Sequence, residues 1–266
     1  MADFGFLGLA IYVIVLVIVY VFQARLIYFP TSVINATPSQ LGLNYEIFSL
    51  PTDDGVTVSG WFVHGPSTER VMLFCHGNAG NMSDRLDTLR ILVDLGYSVA
   101  IFDYRGYGQS SGKPTEMGTY KDAMRVWQYL SEVRGISPHD TVVFGRSLGA
   151  AVATKIAAVI KPRCLIVESG FGSLPAIASE KFWFLPVKML CRFAYDNIRT
   201  IKAVRCPVLV IHSRDDRLIS FRHGCRIFEA ANEPKHFLEI SGPHNDGFLT
   251  SGAVYIKGLR SFLTHY

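Results

Sequence analysis

Short runs without a charged side chain recur along this 266-residue chain, at 71–75, 97–102, 141–144, 164–167 and 207–211. Runs of this length suit strands buried on both faces and are too short for buried helices. The stretches between them carry helix signals. Residues 82–95 open on Ser83 and Asp84 and close at Gly96, and 120–133 place Ala123, Val126, Trp127 and Leu130 on one stripe. Further helices are expected over 148–160, 221–231 and 254–263. Strand–helix repeats demand a mainly parallel sheet with helices on both faces. Residues 45–50 and 56–63 flank the turn-rich stretch from Pro51 to Gly55 and read as an antiparallel hairpin at the sheet edge. With 236–240 as the last strand, the predicted class is α/β: a mostly parallel, eight-stranded sheet.

The amino terminus follows a different rule. From Phe4 to Phe22 the chain reads FGFLGLAIYVIVLVIVYVF, 19 residues without a charge. As a helix at about 1.5 Å per residue it nearly crosses a hydrocarbon core of roughly 30 Å. Tyr20, Phe22 and Tyr28 crowd the far end, where aromatic rings favour the membrane interface. A cleaved signal would need a basic start and small residues before the cut. Here the start carries Asp3, and Phe22-Gln23-Ala24 is not a small-x-small site. The expectation is an uncleaved single-pass anchor over residues 1–28, spanning 4–22, followed by one domain over 29–266. A mean hydropathy of +0.25 agrees with this. Arg25 and the α-amino group leave the orientation open. Five cysteines (Cys75, Cys164, Cys191, Cys206, Cys225) form no CxxC pair, so no zinc or redox motif is present. Unpaired thiols favour a reducing compartment, hence the cytoplasmic face. A net charge of +4 without a run of basic residues argues against nucleic acid as a partner, and 18% charged against 49% hydrophobic residues excludes a disordered chain.

Chemistry-bearing residues collect after the expected strands. Gly145-Arg146-Ser147-Leu148-Gly149 follows the run at 141–144 and opens a helix rich in alanine. A serine on such a turn has its hydroxyl lifted clear of the sheet at a helix amino terminus, which makes Ser147 a candidate nucleophile. The plainer alternative is a helix cap. A nucleophilic serine needs a base, and the base needs a carboxylate to fix its tautomer. Asp215 and Asp216 both follow the run at 207–211, and either could cap the next helix instead. His244 lies beyond the last strand, in a Gly/Pro loop after the acid. His223 and His236 read as solvated or structural, and Asp246 as the start of the last helix. After 71–75 comes His76-Gly77-Asn78-Ala79-Gly80-Asn81. Acyl transfer needs backbone N–H donors for an oxyanion, and those of Asn78 and Leu148 are the candidates. A phosphate loop would need a Lys and Ser/Thr that this stretch lacks.

With HGNAGN (76–81), FDYRGYGQSSGKP (102–114), GRSLGA (145–150), IHSRDD (211–216) and PHND (243–246) in this order, the sequence resembles the α/β-hydrolase superfamily. Within it, the chain resembles the membrane-anchored, serine-aminopeptidase-like branch, over residues 45–263. The resemblance implies the α/β-hydrolase fold and a Ser147, Asp216, His244 triad, and it favours Asp216 over Asp215. Ser213 and Ser220 replace the Gly and Pro that the family often carries around its acid. Asp103 and Arg105 are read as hydrogen-bonding partners of loops beneath the site, and Arg146 as half of a structural ion pair.

Residues 170–197 break the strand–helix rhythm with a dense apolar set. In the implied fold this insertion overlies the strand ends as a short apolar cap. Phe171, Phe182, Trp183, Phe184 and Leu185 are then candidate substrate contacts, unless they only cover the sheet. The combined expectation is a membrane-anchored serine hydrolase acting on acyl ester or thioester bonds of a lipid or an acylated protein. It would work beside the bilayer, without metal or organic cofactor, and its oligomeric state is left open. The alternatives are a peptidase or amidase of the same fold, and a non-catalytic membrane adaptor.

Overall fold

The computed structural model describes residues 2–67 and 69–266, with side chains from residue 6 onward. Eight strands form one sheet: β1 (Tyr45–Pro51), β2 (Thr57–Val63), β3 (Val71–Cys75), β4 (Ser98–Phe102), β5 (Thr141–Arg146), β6 (Cys164–Glu168), β7 (Val208–Ser213) and β8 (Lys235–Ile240). Their spatial order is β8-β7-β6-β5-β3-β4-β2-β1. The six strands from β3 to β8 are mutually parallel, and β2 and β1 add the antiparallel edge. The helices are α1 (Ala2–Ile27), α2 (Leu86–Asp94), α3 (Glu116–Gln128), α4 (Leu148–Ile160), α5 (Leu174–Lys181), α6 (Val187–Leu190), α7 (Asn197–Ile201), α8 (Phe221–Ala230), α9 (Gly247–Thr250) and α10 (Ala253–His265).

Alternation along the strands explains why they are apolar throughout. Leu73, Ala100, Val143, Leu165 and Val210 point to one face, where Val126, Val152, Ile156 and Ile227 of α3, α4 and α8, with Leu130 just after α3, cover them. Their neighbours Met72, Phe74, Ile101, Phe144 and Ile166 point to the other, under Leu89 and Leu92 of α2 and Tyr255, Leu259 and Phe262 of α10. Each strand thus needs apolar side chains at both parities. From β3 the chain crosses to β4 on one side and later returns to β5 on the other. Such a switch point opens a crevice at the strand carboxyl ends, and ligand sites of α/β sheets lie there.

Several boundaries differ from expectation. α3 begins at Glu116 rather than 120, because the Thr115 side chain caps it by accepting the Gly118 N–H at 3.0 Å. The expected helix over 82–95 is a 3-10 turn, Met82–Arg85, followed by α2, and Asn81 with Asp84 forms its capping box instead of Ser83. Asp246 heads the separate turn α9, and the last helix starts only at Ala253. The helix α1 continues to Ile27, five residues beyond the expected end of the apolar run at Phe22. Nothing breaks it before the buried Tyr28, whose hydroxyl lies 2.7 Å from that of Tyr195.

The helix is fastened to the domain beyond its end. Phe29–Pro30 pairs in parallel with Ala79–Gly80. Gln23, the one buried residue among the described side chains of α1, donates to Leu190 O at 2.9 Å and accepts from Arg192 N–H at 2.7 Å. Near the other end of the contact, Tyr12 donates to Phe184 O at 3.2 Å.

Candidate active site

β5 ends at Arg146 and α4 begins at Leu148, so Ser147 alone makes the turn. Its backbone lies at φ 56°, ψ −120°. Such a conformation costs a side-chain-bearing residue about 1–3 kcal/mol, so the surroundings must hold it. Ser147 N–H donates to Glu168 O at 2.9 Å, and Ala150 N–H donates to Ser147 O at 3.0 Å. The flanking glycines permit close approach. A Cβ on Gly145 would collide with the Gly149 carbonyl, and one on Gly149 with the carbonyl oxygens of Cys75 and His76. The helix end is therefore pressed against the ends of β3 and β5, whose register sets Cys75 opposite Gly145. Ser147 is left at the amino end of α4, where N–H groups and the helix dipole favour negative charge.

His244 Nε2 lies 3.0 Å from Ser147 Oγ, and His244 Nδ1 lies 2.6 Å from Asp216 Oδ2. A carboxylate only accepts, so Nδ1 carries the proton and Nε2 accepts from the Ser147 hydroxyl. The other Asp216 oxygen accepts from the N–H groups of Leu218 and Ile219 at 2.9 and 2.8 Å. Burial raises the Asp216 carboxyl, but the His244 hydrogen bond and charge, the Ile219 N–H and nearby His212 prevail and hold it below its ordinary value. Asp215 has a different task. It accepts from Gly242 N–H at 2.9 Å, while Ser213 donates to Gly242 O at 2.6 Å, so the acid loop holds the histidine loop. His223 is buried and accepts from Gly172 N–H at 3.1 Å, leaving Nε2 to donate to Glu180 on α5 at 3.1 Å. His236 lies away from the cavity, 3.0 Å from the Tyr266 hydroxyl.

The 76–81 loop runs beside the nucleophile: a Cβ on Gly77 would sit 3.5 Å from Ser147 Cβ. Asn78 and Leu148 line the same cavity as Ser147 and His244. Leu148 N–H is the first of its helix and has no helical acceptor. Asn78 is held by its other groups. Its carbonyl accepts from Phe29 N–H at 3.1 Å and from the Tyr107 hydroxyl at 2.8 Å, and its Nδ2 donates to Ile27 O at 2.5 Å. Below the loop, Asp103 accepts from Met82 N–H at 2.8 Å, and Arg105 bridges Asp122 and Asp54 at 2.7 and 3.0 Å.

The cavity encloses about 700 Å³, within the usual range for small-molecule sites. From the cap, Phe171, Phe182 and Leu185 line it, joined by Leu174 and Ile177. Trp183 and Phe184 do not, which corrects the sequence reading. They are 82% and 55% exposed and face outward. Leu185 N–H donates to Phe182 O at 2.9 Å, closing a turn in which 182 and 185 share the inner side and 183 and 184 take the outer corners. The sequence reading also missed a whole wall, built by Val19, Gln23, Leu26 and Ile27 of α1. The available signal was Gln23, an amide directly after the uncharged run 4–22.

The profile of the family described as serine aminopeptidase, S33, matches residues 66–195, a stretch that contains Ser147 and ends before Asp216 and His244. A Mycobacterium tuberculosis protein described only as uncharacterized is 37% identical over 246 residues, 91% of this chain and 87% of that one. The alpha/beta hydrolase domain-containing protein WAV2 of Arabidopsis thaliana is 33% identical over 294 residues, 99% of this chain and 94% of that one. The fold matches that of the Pyrococcus furiosus esterase Pf2001, with a TM-score of 0.76 and 22% identity over 90% of this chain and 99% of that one. The strand order, the serine turn at the switch point and a relationship that runs nearly end to end lead to one conclusion: the chain belongs to the α/β-hydrolase superfamily.

Proposed function

We propose that the protein is a membrane-anchored serine hydrolase that cleaves acyl ester or thioester bonds. Ser147 attacks the acyl carbonyl as His244 takes its proton, and Asp216 holds the imidazole and balances its charge. The N–H groups of Asn78 and Leu148 receive the oxyanion, each worth roughly a hundredfold or more in rate. His244 then protonates the departing alcohol or thiol, and water activated by the same base releases the acyl group from Ser147. The observation that carries this reading is the hydrogen-bonded chain Ser147–His244–Asp216, at 3.0 and 2.6 Å, opening onto an apolar cavity. An acyl chain suits such walls, since each methylene buried contributes about 0.8 kcal/mol. In this reading α1 anchors the domain at a bilayer, and the free thiols favour its cytoplasmic side.

Labelling by a fluorophosphonate probe tests the mechanism. Wild-type protein is expected to react and Ser147→Ala to stay unlabelled; equal labelling of both, with the variant folded, sinks the proposal. The description of the matching family profile favours a second reading, amide hydrolysis. Turnover of p-nitrophenyl esters of increasing chain length, set against aminoacyl-nitroanilides, separates the two. Preference for the anilides would select the second.

A further inference from the structure

The cap leaves its most apolar side chains in the open. Trp183 is 82% exposed, Met189 86% and Phe184 55%, and Phe182, which lines the cavity, is still 48% exposed. They cluster at 182–189, and rings pack within the cluster, Trp183 and Phe184 with centroids 5.9 Å apart. An exposed patch of this composition is a contact surface rather than ordinary surface scatter. Its position along α1 shows what it contacts.

The cap lies against α1 from Tyr12, which bonds Phe184 O, to Gln23, which bonds both Leu190 O and Arg192 N–H. At about 1.5 Å per residue that contact covers about 16 Å of helix axis. Val19 and Gln23 within it line the cavity, and all of it falls inside the apolar span Phe6–Ile27, ahead of that span's one charged residue, Arg25. A segment hugging the middle of that span must lie at the same depth as the span itself.

We propose that the cap segment 182–190 is a second membrane-inserting element, continuous with α1, and that the cavity meets the acyl-chain region of the bilayer between them. This rests on reading α1 as the membrane anchor. The partner surface is the lipid bilayer. The proposed surface joins the exposed apolar face of α1 to the exposed cap residues, and Lys181, Lys188 and Arg192, all exposed, lie within or next to that cap segment in the chain. Their stems run along apolar surface while the charged ends reach the headgroups. Arg192 already does this beside the Tyr20 ring, 5.3 Å from its centroid. Val19, Leu26 and Ile27 wall the cavity from one side, Phe182, Leu185 and Leu190 from the other. An acyl chain can pass from the bilayer to Ser147 along this seam without crossing water, which defines the substrate class as molecules whose acyl chain already resides in a membrane.

The three tryptophans make the test direct. Trp61 and Trp127 are buried, 2% and 8% exposed, and only Trp183 stands in the open. The full-length protein is reconstituted into phosphatidylcholine vesicles with unmodified or brominated acyl chains. Wild-type emission is expected to be quenched by the bromines, and Trp183→Phe to lose that quenching while floating with the vesicles equally well. Flotation without quenching of Trp183 overturns the proposal and leaves the anchor and the hydrolase reading standing. Failure to float removes the anchor and the proposal together, and fluorophosphonate labelling of Ser147 then tells separately whether the hydrolase reading survives. Shielding of Trp183 from bromine, with Met189→Cys cross-linking to a second copy, overturns it in favour of self-association.

Discussion

Arg146 stands next to the candidate nucleophile and takes no part in proton transfer, since a guanidinium stays charged. Its side chain is buried and grips Glu168 at 2.8 and 3.2 Å, donates to Thr88 at 2.9 Å, and lies 4.1 Å from the Phe248 ring centroid. Tyr255 completes the set by donating to Glu168 at 2.7 Å. This one residue ties β5 and β6 to α2, α9 and α10. Replacing it with Leu leaves the Glu168 carboxylate buried without a counter-charge, so Arg146→Leu is expected to lose about 3–5 kcal/mol of stability, read as a fall in Cm for urea unfolding. Asp216 carries a different expectation. Asp216→Asn keeps the volume and can still accept from the Leu218 and Ile219 N–H groups, so the fold should hold. The imidazole, no longer held as its Nδ1–H tautomer, should lose kcat by on the order of 10⁴. Unchanged ester turnover in that variant would remove Asp216 from the mechanism. Arg146 as an ion-pair partner was legible in the sequence because its charge excluded other roles. The division of labour between Asp215 and Asp216 was not, because adjacent residues in a turn face different ways and only the loop geometry says which faces His244.

The elements were legible where their signals are local. Short apolar runs marked the strands, since a strand covered on both faces needs apolar residues at both parities. The start of α3 was missed because its cap, Thr115, lies eight residues ahead of Ala123, the first residue of the apolar stripe. The cap was the hardest element. Its apolar side chains read as a single group, yet the turn closed by Leu185 N–H sends Phe182 and Leu185 inward and Trp183 and Phe184 outward. α1 and the cap also act on each other. Gln23 is 6% exposed and satisfies one carbonyl and one N–H of the segment around Leu190. Gln23→Leu leaves both groups unpaired, at about 1–3 kcal/mol each. The expected result is a looser cap, measured as faster tryptic cleavage after Lys188 and Arg192 with little change in the global unfolding midpoint. Cleavage at the wild-type rate would show that the helix does not brace the cap.

At the scale of the molecule, two buried groups make stability pH-dependent in the same direction. Burial holds His212 below its ordinary 6.5, outweighing the Ile219 carbonyl and Asp216. The unfolded chain therefore binds a proton that the native chain resists, and stability falls as pH drops below about 6.5. Asp216 is held below its ordinary 3.8. Its contribution is present above that value and is lost as pH falls through the lowered native one. Melting temperature is expected to decline from pH 6.5 to 5, and His212→Gln, which can still donate to Ile219 O, should flatten that decline while leaving the fall below pH 4. What the linear chain determined by itself was the layered α/β architecture and the local geometry of the serine turn. Both follow from short-range rules, the parity of buried strands and the close approach that only glycine allows at 145 and 149. What only the tertiary structure decided was that the amino-terminal helix is a wall of the cavity, and which cap residues face it. Those outcomes depend on contacts such as Gln23 with Leu190, 167 positions apart, where no sequence periodicity links the partners and packing alone brings them together.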